Sequence, residues 1–149
     1  MYRALQVNTA KNIPIRTAGE AMTRGMAVTR NLTTGLLMKA TATKGISLLD
    51  VAPNSDGINA VVTPDDKAFE NVAVNQLVLQ VPTYSEEAFA TTECATGLTV
   101  GALVKAVAGR FVAAAANDEC DMVYAGPYTD PTGLTMYKIE KLSDVRKQA

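Results

Sequence analysis

The side chains that could perform catalysis are restricted by the absence of histidine from the sequence. Histidine is the most frequent general base in enzymes and a frequent metal ligand, so a nucleophilic Ser or Thr would depend on Asp, Glu, Lys or Tyr. No Ser-x-x-Lys or Gly-x-Ser-x-Gly motif is present. Cys94 and Cys120 would each need a neighbouring cation to form a thiolate, and small buried hydrophobic roles fit them better. The sequence therefore predicts a protein that is not an enzyme and binds no cofactor.

Other ligand-binding signatures are also missing. The acidic clusters at residues 118–121 and 65–66 lack EF-hand spacing, which predicts solvated turns and no metal site. A formal net charge of −1 argues against nucleic-acid binding by overall positive charge. The longest apolar run, residues 111–116, is too short to span a membrane, and the first residues contain no apolar signal segment. We expect a soluble protein made in the cytoplasm.

An internal repeat indicates how the chain is organised. Four landmarks recur further along the sequence at an offset of 74 or 76 residues. They are Gly25 with Gly101, Gly35 with Gly109, Pro53 with Pro127, and Asp56 with Asp130. A glycine between two apolar runs is typical of a β-hairpin, and Pro, Asp and Gly together favour turns. The repeat predicts two related β-modules.

Local sequence patterns predict where the strands and helices of these modules lie. Alternating or apolar runs predict strands at residues 26–28, 36–38, 58–62, 77–81 and 134–139. Residues 104–116 are rich in alanine, which favours helix, but the central Gly109 and its match to Gly35 favour strands. A Thr-Pro-Asp-Asp start signal predicts a short helix over 64–71, and a weaker one falls at 85–88. Residues 141–149 form a charged tail that we expect to be frayed.

These signals predict a mainly β fold with two related small β-barrel or sandwich modules, one or two short helices and an extended N-terminal arm. The arm comprises residues 1–18. The first module, with a long loop, comprises residues 19–90. The second module and the charged tail comprise residues 91–149.

The arm provides the candidate partner-binding residues. It combines basic side chains with apolar ones that are costly to leave in water, and Pro14 biases its neighbour towards an extended backbone. Such a segment suits addition to another protein's surface, whereas the alternative is a disordered terminus. The candidate contacts are Arg3, Val7, Lys11, Ile13, Ile15 and Arg16. We expect a protein lacking residues 1–17 to fold but to lose most of its binding.

Charge is distributed unevenly along the chain. Residues 1–50 contain seven basic and two acidic side chains, and residues 51–100 contain one basic and seven acidic. Two interpretations stay open: complementary faces that meet other surfaces, or solvated faces without a partner.

The repeated frame resembles a known family. Gly25-Met-Ala-Val28, a short loop, Gly35-Leu-Leu-Met-Lys-Ala40 and the segment from Thr43 to Asp50 are similar to the decoration, or cement, proteins of tailed-phage heads. The similarity covers about residues 19–62 and again 97–116. It implies a structural virion protein on the outer capsid surface, synthesised in the host cytoplasm, that bridges major capsid protein subunits and stabilises the head. Neighbouring copies of itself would be partners, as a trimer in preference to a dimer.

Two alternatives of other classes stay open. One is a tail, fibre or adhesion module, which would assemble without a capsid. The other is a small β-barrel ligand-binding domain, which requires a deep pocket with converging acids.

Overall fold

The computed structural model describes residues 1–6, 11–51 and 70–149. Within these ranges the regular structure is entirely β, without a helix. The strands are β1 (Tyr2–Gln6), β2 (Ile15–Thr17), β3 (Met22–Thr23), β4 (Ala27–Arg30), β5 (Leu37–Lys39), β6 (Ser47–Asp50), β7 (Asn71–Val72), β8 (Leu77–Val81), β9 (Ala88–Thr91), β10 (Leu103–Val107), β11 (Arg110–Ala113), β12 (Glu119–Thr129) and β13 (Thr135–Lys147). The prediction of a mainly β protein is confirmed.

The strands form antiparallel sheets. In the described part of the chain, the larger sheet has the order β1-β9-β13-β12-β10-β11 and the smaller one the order β2-β8-β6-β4-β5. A short ribbon joins β3 to β7. No closed barrel forms among these described strands. Ala42, in the segment between β5 and β6, exchanges backbone hydrogen bonds of 3.0 and 2.8 Å with Ala106 of β10 in the larger sheet.

The largest apolar cluster draws on both main sheets. Leu48 and Val81 from the smaller sheet pack with Phe89, Phe111 and Ile139 from the larger one. A second cluster lies on the opposite face of the smaller sheet, where Met22 and Val72 of the β3–β7 ribbon cover Val78 of β8. Strand β8 therefore contacts an apolar cluster on each of its two faces.

The predicted boundary between the two modules can be compared with the sheets and with the largest apolar cluster. The predicted boundary between residues 90 and 91 falls inside β9, and the largest cluster combines side chains from both sides of it. The smaller sheet nevertheless contains only strands that precede residue 90, and β10 to β13 all follow it. The descent of the two halves from one repeat stays a prediction.

The segment over residues 104–116 forms strands as far as Ala113, in agreement with the preference for strands over helix there. Strands β10 and β11 make a tight hairpin in which Val107 is opposite Arg110. The two turn residues, Ala108 and Gly109, have φ angles of 48° and 84°. Two consecutive positive φ angles define the turn that matches the twist of paired strands, and a helix cannot contain them. The hairpin over β4 and β5 and the strand over 77–81 are confirmed as well.

Two predictions are wrong. The helix over residues 85–88 is absent because Glu86 has a φ of 67° and residues 84–87 form a turn that leads into β9. The tail is not frayed, because β13 continues to Lys147 with Glu119 opposite Lys147 and Cys120 opposite Arg146. The predicted strand over 58–62 lies outside the described residues, as does the predicted helix over 64–71 up to residue 69.

Candidate functional site

The described residues of the N-terminal segment contribute strands to the sheets of the body. Strand β1 is an edge strand of the larger sheet and pairs with β9. Strand β2 is an edge strand of the smaller sheet and pairs with β8. Met1 and Tyr2 are buried, and Tyr2 contributes to the largest apolar cluster. The segment therefore differs from a tether that leaves the body, since it supplies one strand to each main sheet. Val7 lies outside the described residues.

Two of the predicted contact residues make ion pairs inside the chain. Arg3 Nη2 lies 3.2 Å from Asp130 Oδ2, and Lys11 Nζ lies 2.5 Å from Glu87 Oε2. Lys11 also lies over the ring of Tyr84, 5.4 Å from its centroid. Both pairs are mostly withdrawn from solvent. The Lys11–Glu87 pair joins a basic side chain from residues 1–50 to an acidic one from residues 51–100. Part of the uneven charge along the sequence is therefore neutralised within the chain.

The Asp130 carboxylate ties Arg3 to the turn after β12. The hydroxyl of Thr132 donates to Asp130 Oδ1 over 2.6 Å, and the backbone N–H groups of Thr132 and Leu134 donate to the same oxygen. These hydrogen bonds, with the guanidinium of Arg3, hold the pKa of Asp130 below its usual value. Arg3 therefore has an anchoring role that its sequence position did not reveal.

We expect the substitution Arg3→Met to raise the pKa of Asp130, because it removes one of the donors that stabilise the carboxylate. The pKa should stay below that of an ordinary aspartate, since the Thr132 hydroxyl is the larger cause. An NMR titration of the side-chain carboxyl carbon measures this directly. An unchanged pKa in the variant would show that Arg3 does not act on Asp130 in solution.

The exposed apolar residues of the N-terminal segment lie beside β8. Ile15 is opposite Leu79, and Thr17 is opposite Leu77. Residues 77 and 79 share one face of β8, so Ile15 and Leu77 are diagonal neighbours on that face. Ile15 is 61% exposed and Leu77 50% exposed. Together with Ile13, which is also exposed, they form what we call the β2–β8 edge patch.

The patch is held in place by the sheet. The backbone N–H of Gln80 donates to the carbonyl of Pro14 over 3.0 Å, so the chain already lies along β8 at Pro14, before β2 begins. Arg16 projects from the opposite face of β2, where its Nε donates to Gln80 Oε1 over 3.1 Å. Leu79, on the patch side, packs against the largest apolar cluster. The patch is therefore the solvent-facing continuation of the core surface, on a rigid backbone.

The five predicted contact residues that the structure describes thus separate into groups. Ile13 and Ile15 lie in the patch, Arg16 flanks it on the other face, and Arg3 and Lys11 anchor the segment to the body. Leu77 was missed as a surface residue, because an apolar position in an alternating strand is expected to be buried. Pro82, which ends β8, was a signal that this strand lies near a sheet margin.

The two cysteines are poor nucleophiles. Both are buried and free of disulfides, in agreement with the role predicted for them. Burial raises the pKa of Cys94 to about 11, and it also raises the pKa of Cys120. Both thiols are therefore protonated at neutral pH.

In residues 1–6, 11–51 and 70–149, no three acidic or cysteine side chains converge as a metal site would require. None of these residues forms a helix long and apolar enough to cross a bilayer.

Comparison with known proteins identifies no relative: no family model matches the chain, no curated protein matches it, and no solved structure matches it.

Proposed function

We propose that the protein is a structural component of the virion that binds the outer surface of an assembled phage capsid. In this proposal it bridges neighbouring major capsid protein subunits and stabilises the head. The observation that carries the proposal is the β2–β8 edge patch, where Ile15 of the edge strand β2 and Leu77 of its neighbour β8 are both at least half exposed. The resemblance of residues 19–62 and 97–116 to phage decoration proteins supports the choice of partner.

The patch suits adhesion for an energetic reason. Apolar surface that is removed from water contributes roughly 25 cal/mol per Å², and a contact on a rigid strand loses little conformational entropy on binding. One such patch gives modest affinity, but several identical patches in an oligomer on a regular lattice act together. A trimer is the preferred assembly in this proposal, with a dimer as the alternative.

The proposal also includes the arrangement of the two main sheets relative to each other. We infer that the two main sheets form a sandwich, which the shared apolar cluster and the backbone hydrogen bonds between Ala42 and Ala106 support. A body of this kind is stiff and offers its sheet margins as contact surfaces.

The direct test mixes purified protein with undecorated phage heads and measures co-sedimentation. Saturable uptake at a fixed number of copies per head supports decoration. Absence of uptake contradicts it. Self-assembly into fibres without heads would instead indicate a tail or fibre component.

The patch is tested by Ile15→Asp and Leu77→Asp. Each substitution places a charge where an apolar contact is proposed, so we expect binding to heads to weaken by about tenfold or more. The matched control is Val145→Asp, because Val145 is 49% exposed on β13, in the other main sheet. All three variants should unfold at nearly the same urea concentration, since exposed substitutions change stability by only about 0.5 kcal/mol. Equal loss of binding in the control would refute the role of the patch.

A further inference from the structure

The loop between β4 and β5 carries the most exposed large apolar side chain among the described residues. Leu32 is 86% exposed, whereas the next highest value is 64%, at Val100. Single exposed apolar side chains are common on protein surfaces and need no explanation by themselves. Leu32 differs from the others because it stands on a fixed loop, beside positive charge and beside the β2–β8 edge patch.

The loop is held by hydrogen bonds between its own residues. Asn31 Oδ1 accepts from the backbone N–H groups of Thr33 and Thr34 over 2.9 and 3.1 Å. The backbone N–H of Gly35 donates to the carbonyl of Asn31 over 2.8 Å, and the φ of 74° at Gly35 turns the chain back towards β5. The backbone around Leu32 is therefore fixed, which leaves little chain entropy to lose when its side chain is buried by a partner.

The loop lies at the same margin of the body as the β2–β8 edge patch. Ala18, which follows β2, forms a parallel bridge with Leu37, the first residue of β5. The backbone N–H of Gly19 donates to the carbonyl of Leu37 over 2.9 Å, and a Cβ added at Gly19 would lie 3.0 Å from Leu36 Cβ, so the two segments are in contact. Because the bridge is parallel, the end of the loop enters it from the same side as β2. The loop and the patch therefore belong to one margin.

This margin is positively charged. Arg30, the last residue of β4, is exposed and forms no ion pair within the described part of the chain. Lys39 on the neighbouring strand differs, because its Nζ lies 3.7 Å from Glu20 Oε2. Arg16 donates its Nε to the neutral amide of Gln80, which leaves its charge uncompensated. Two guanidinium groups without a carboxylate partner among the described residues thus accompany the apolar side chains, and acidic groups on a partner would complement them.

We propose that the β4–β5 loop is a preformed anchor whose Leu32 enters an apolar pocket with an acidic rim on the major capsid protein. This inference deepens the proposed function and rests on it. A projecting side chain is removed from water only by a concave surface, so the partner has to supply a pocket. A lipid bilayer suits the loop less well, because one leucine buries too little apolar surface for stable insertion.

The test measures binding to undecorated phage heads for the unsubstituted chain, Leu32→Ser and Val100→Ser. Val100 is the matched control, because it is an exposed apolar residue of another loop, between β9 and β10. We expect Leu32→Ser to weaken binding by about tenfold or more and Val100→Ser to leave it unchanged, with similar urea midpoints for all three proteins. Equal binding of Leu32→Ser and the unsubstituted chain, or an equal loss in the control, would overturn the anchor. Absence of binding by the unsubstituted chain would contradict the proposed function itself, and the anchor with it.

Two further variants test the acidic rim and the fixed loop. Arg30→Gln should slow association with heads by about threefold or more at low salt and reduce its salt dependence, because it removes a charge and leaves Leu32 in place. Asn31→Ala should speed hydrogen exchange of the Thr33 and Thr34 amides and weaken binding by about threefold or more. An unchanged salt dependence in the first variant would overturn the acidic rim. An unchanged affinity in the second would overturn the need for a fixed loop.

Other partners for Leu32 would give different results. Binding of the unsubstituted chain to vesicles of phosphatidylcholine and phosphatidylserine that is lost in Leu32→Ser, with binding to heads unchanged, would assign the loop to a lipid surface. A lower native mass of Leu32→Ser in analytical ultracentrifugation would assign the loop to a contact between copies of the chain. Either result would overturn the proposed pocket on the capsid protein.

Discussion

A protein that lacks residues 1–17 is expected not to fold. The deletion removes β1 from the larger sheet and the whole of β2 from the smaller one. It also removes the buried side chains of Met1 and Tyr2. Loss of a buried Met costs about 2–5 kcal/mol and of a buried aromatic residue about 3–5 kcal/mol, which together approach a typical total stability of roughly 5–15 kcal/mol. Far-UV circular dichroism and urea titration would show an unfolded chain.

The control for this deletion is Ile15→Asp, which leaves both strands in place and should retain a cooperative unfolding transition. A truncated protein with a β-type spectrum and a cooperative transition would contradict the prediction. This expected unfolding is the opposite of the prediction from the sequence alone, in which the protein lacking residues 1–17 would still fold. Binding to capsids therefore has to be tested with point substitutions.

The substitution Gly25→Ala is expected to destabilise the protein by roughly 3 kcal/mol or more. Gly25 has a φ of 93°, and a left-handed backbone costs an L-residue roughly 1–2 kcal/mol. The added methyl group would collide with the main chain of Met1 and with Thr91, and overpacking of this kind costs about 1–3 kcal/mol. Urea or thermal unfolding measures the change.

Gly45→Ala is the matched control, because Gly45 has a φ of 67° but no atom within 4 Å of an added Cβ. It should cost only about 1 kcal/mol, the backbone contribution alone. The difference between the two variants isolates the collision with Met1. Equal destabilisation would show that the contact between Gly25 and Met1 is not tight in solution.

Local turn chemistry made part of the fold predictable. The hairpin of β10 and β11 could be predicted from the sequence because Gly109 marks a two-residue turn, and everything needed for that turn lies within a few residues. The same reasoning failed at residues 85–88. There the acidic residues resembled a helix start, but Glu87 accepts from the backbone N–H of Tyr84 and pairs with Lys11, which holds a turn.

Pairing between strands that are distant in the sequence could not be predicted. The partner of β1 is β9, more than eighty residues away, and no local pattern identifies that pairing. The C-terminal residues were expected to fray because they are charged, yet β12 offers them a complementary strand. At the candidate site, Ile13 and Ile15 were recognised from their hydrophobicity. The roles of Arg3 and Lys11 depend on Asp130 and Glu87, whose positions only the tertiary structure gives.

The pairing of β1 with β9 also affects how the protein folds during its synthesis on the ribosome. Tyr2–Gln6 is translated long before Ala88–Thr91, and β9 in turn borders Thr135–Lys147 at the far end of the chain. Tyr2–Gln6 therefore stays without its partner strand until Ala88–Thr91 has been translated. Because apolar strands that stay unpaired during synthesis invite association with other chains, the nascent protein is most exposed to chaperones and to misassembly during that interval.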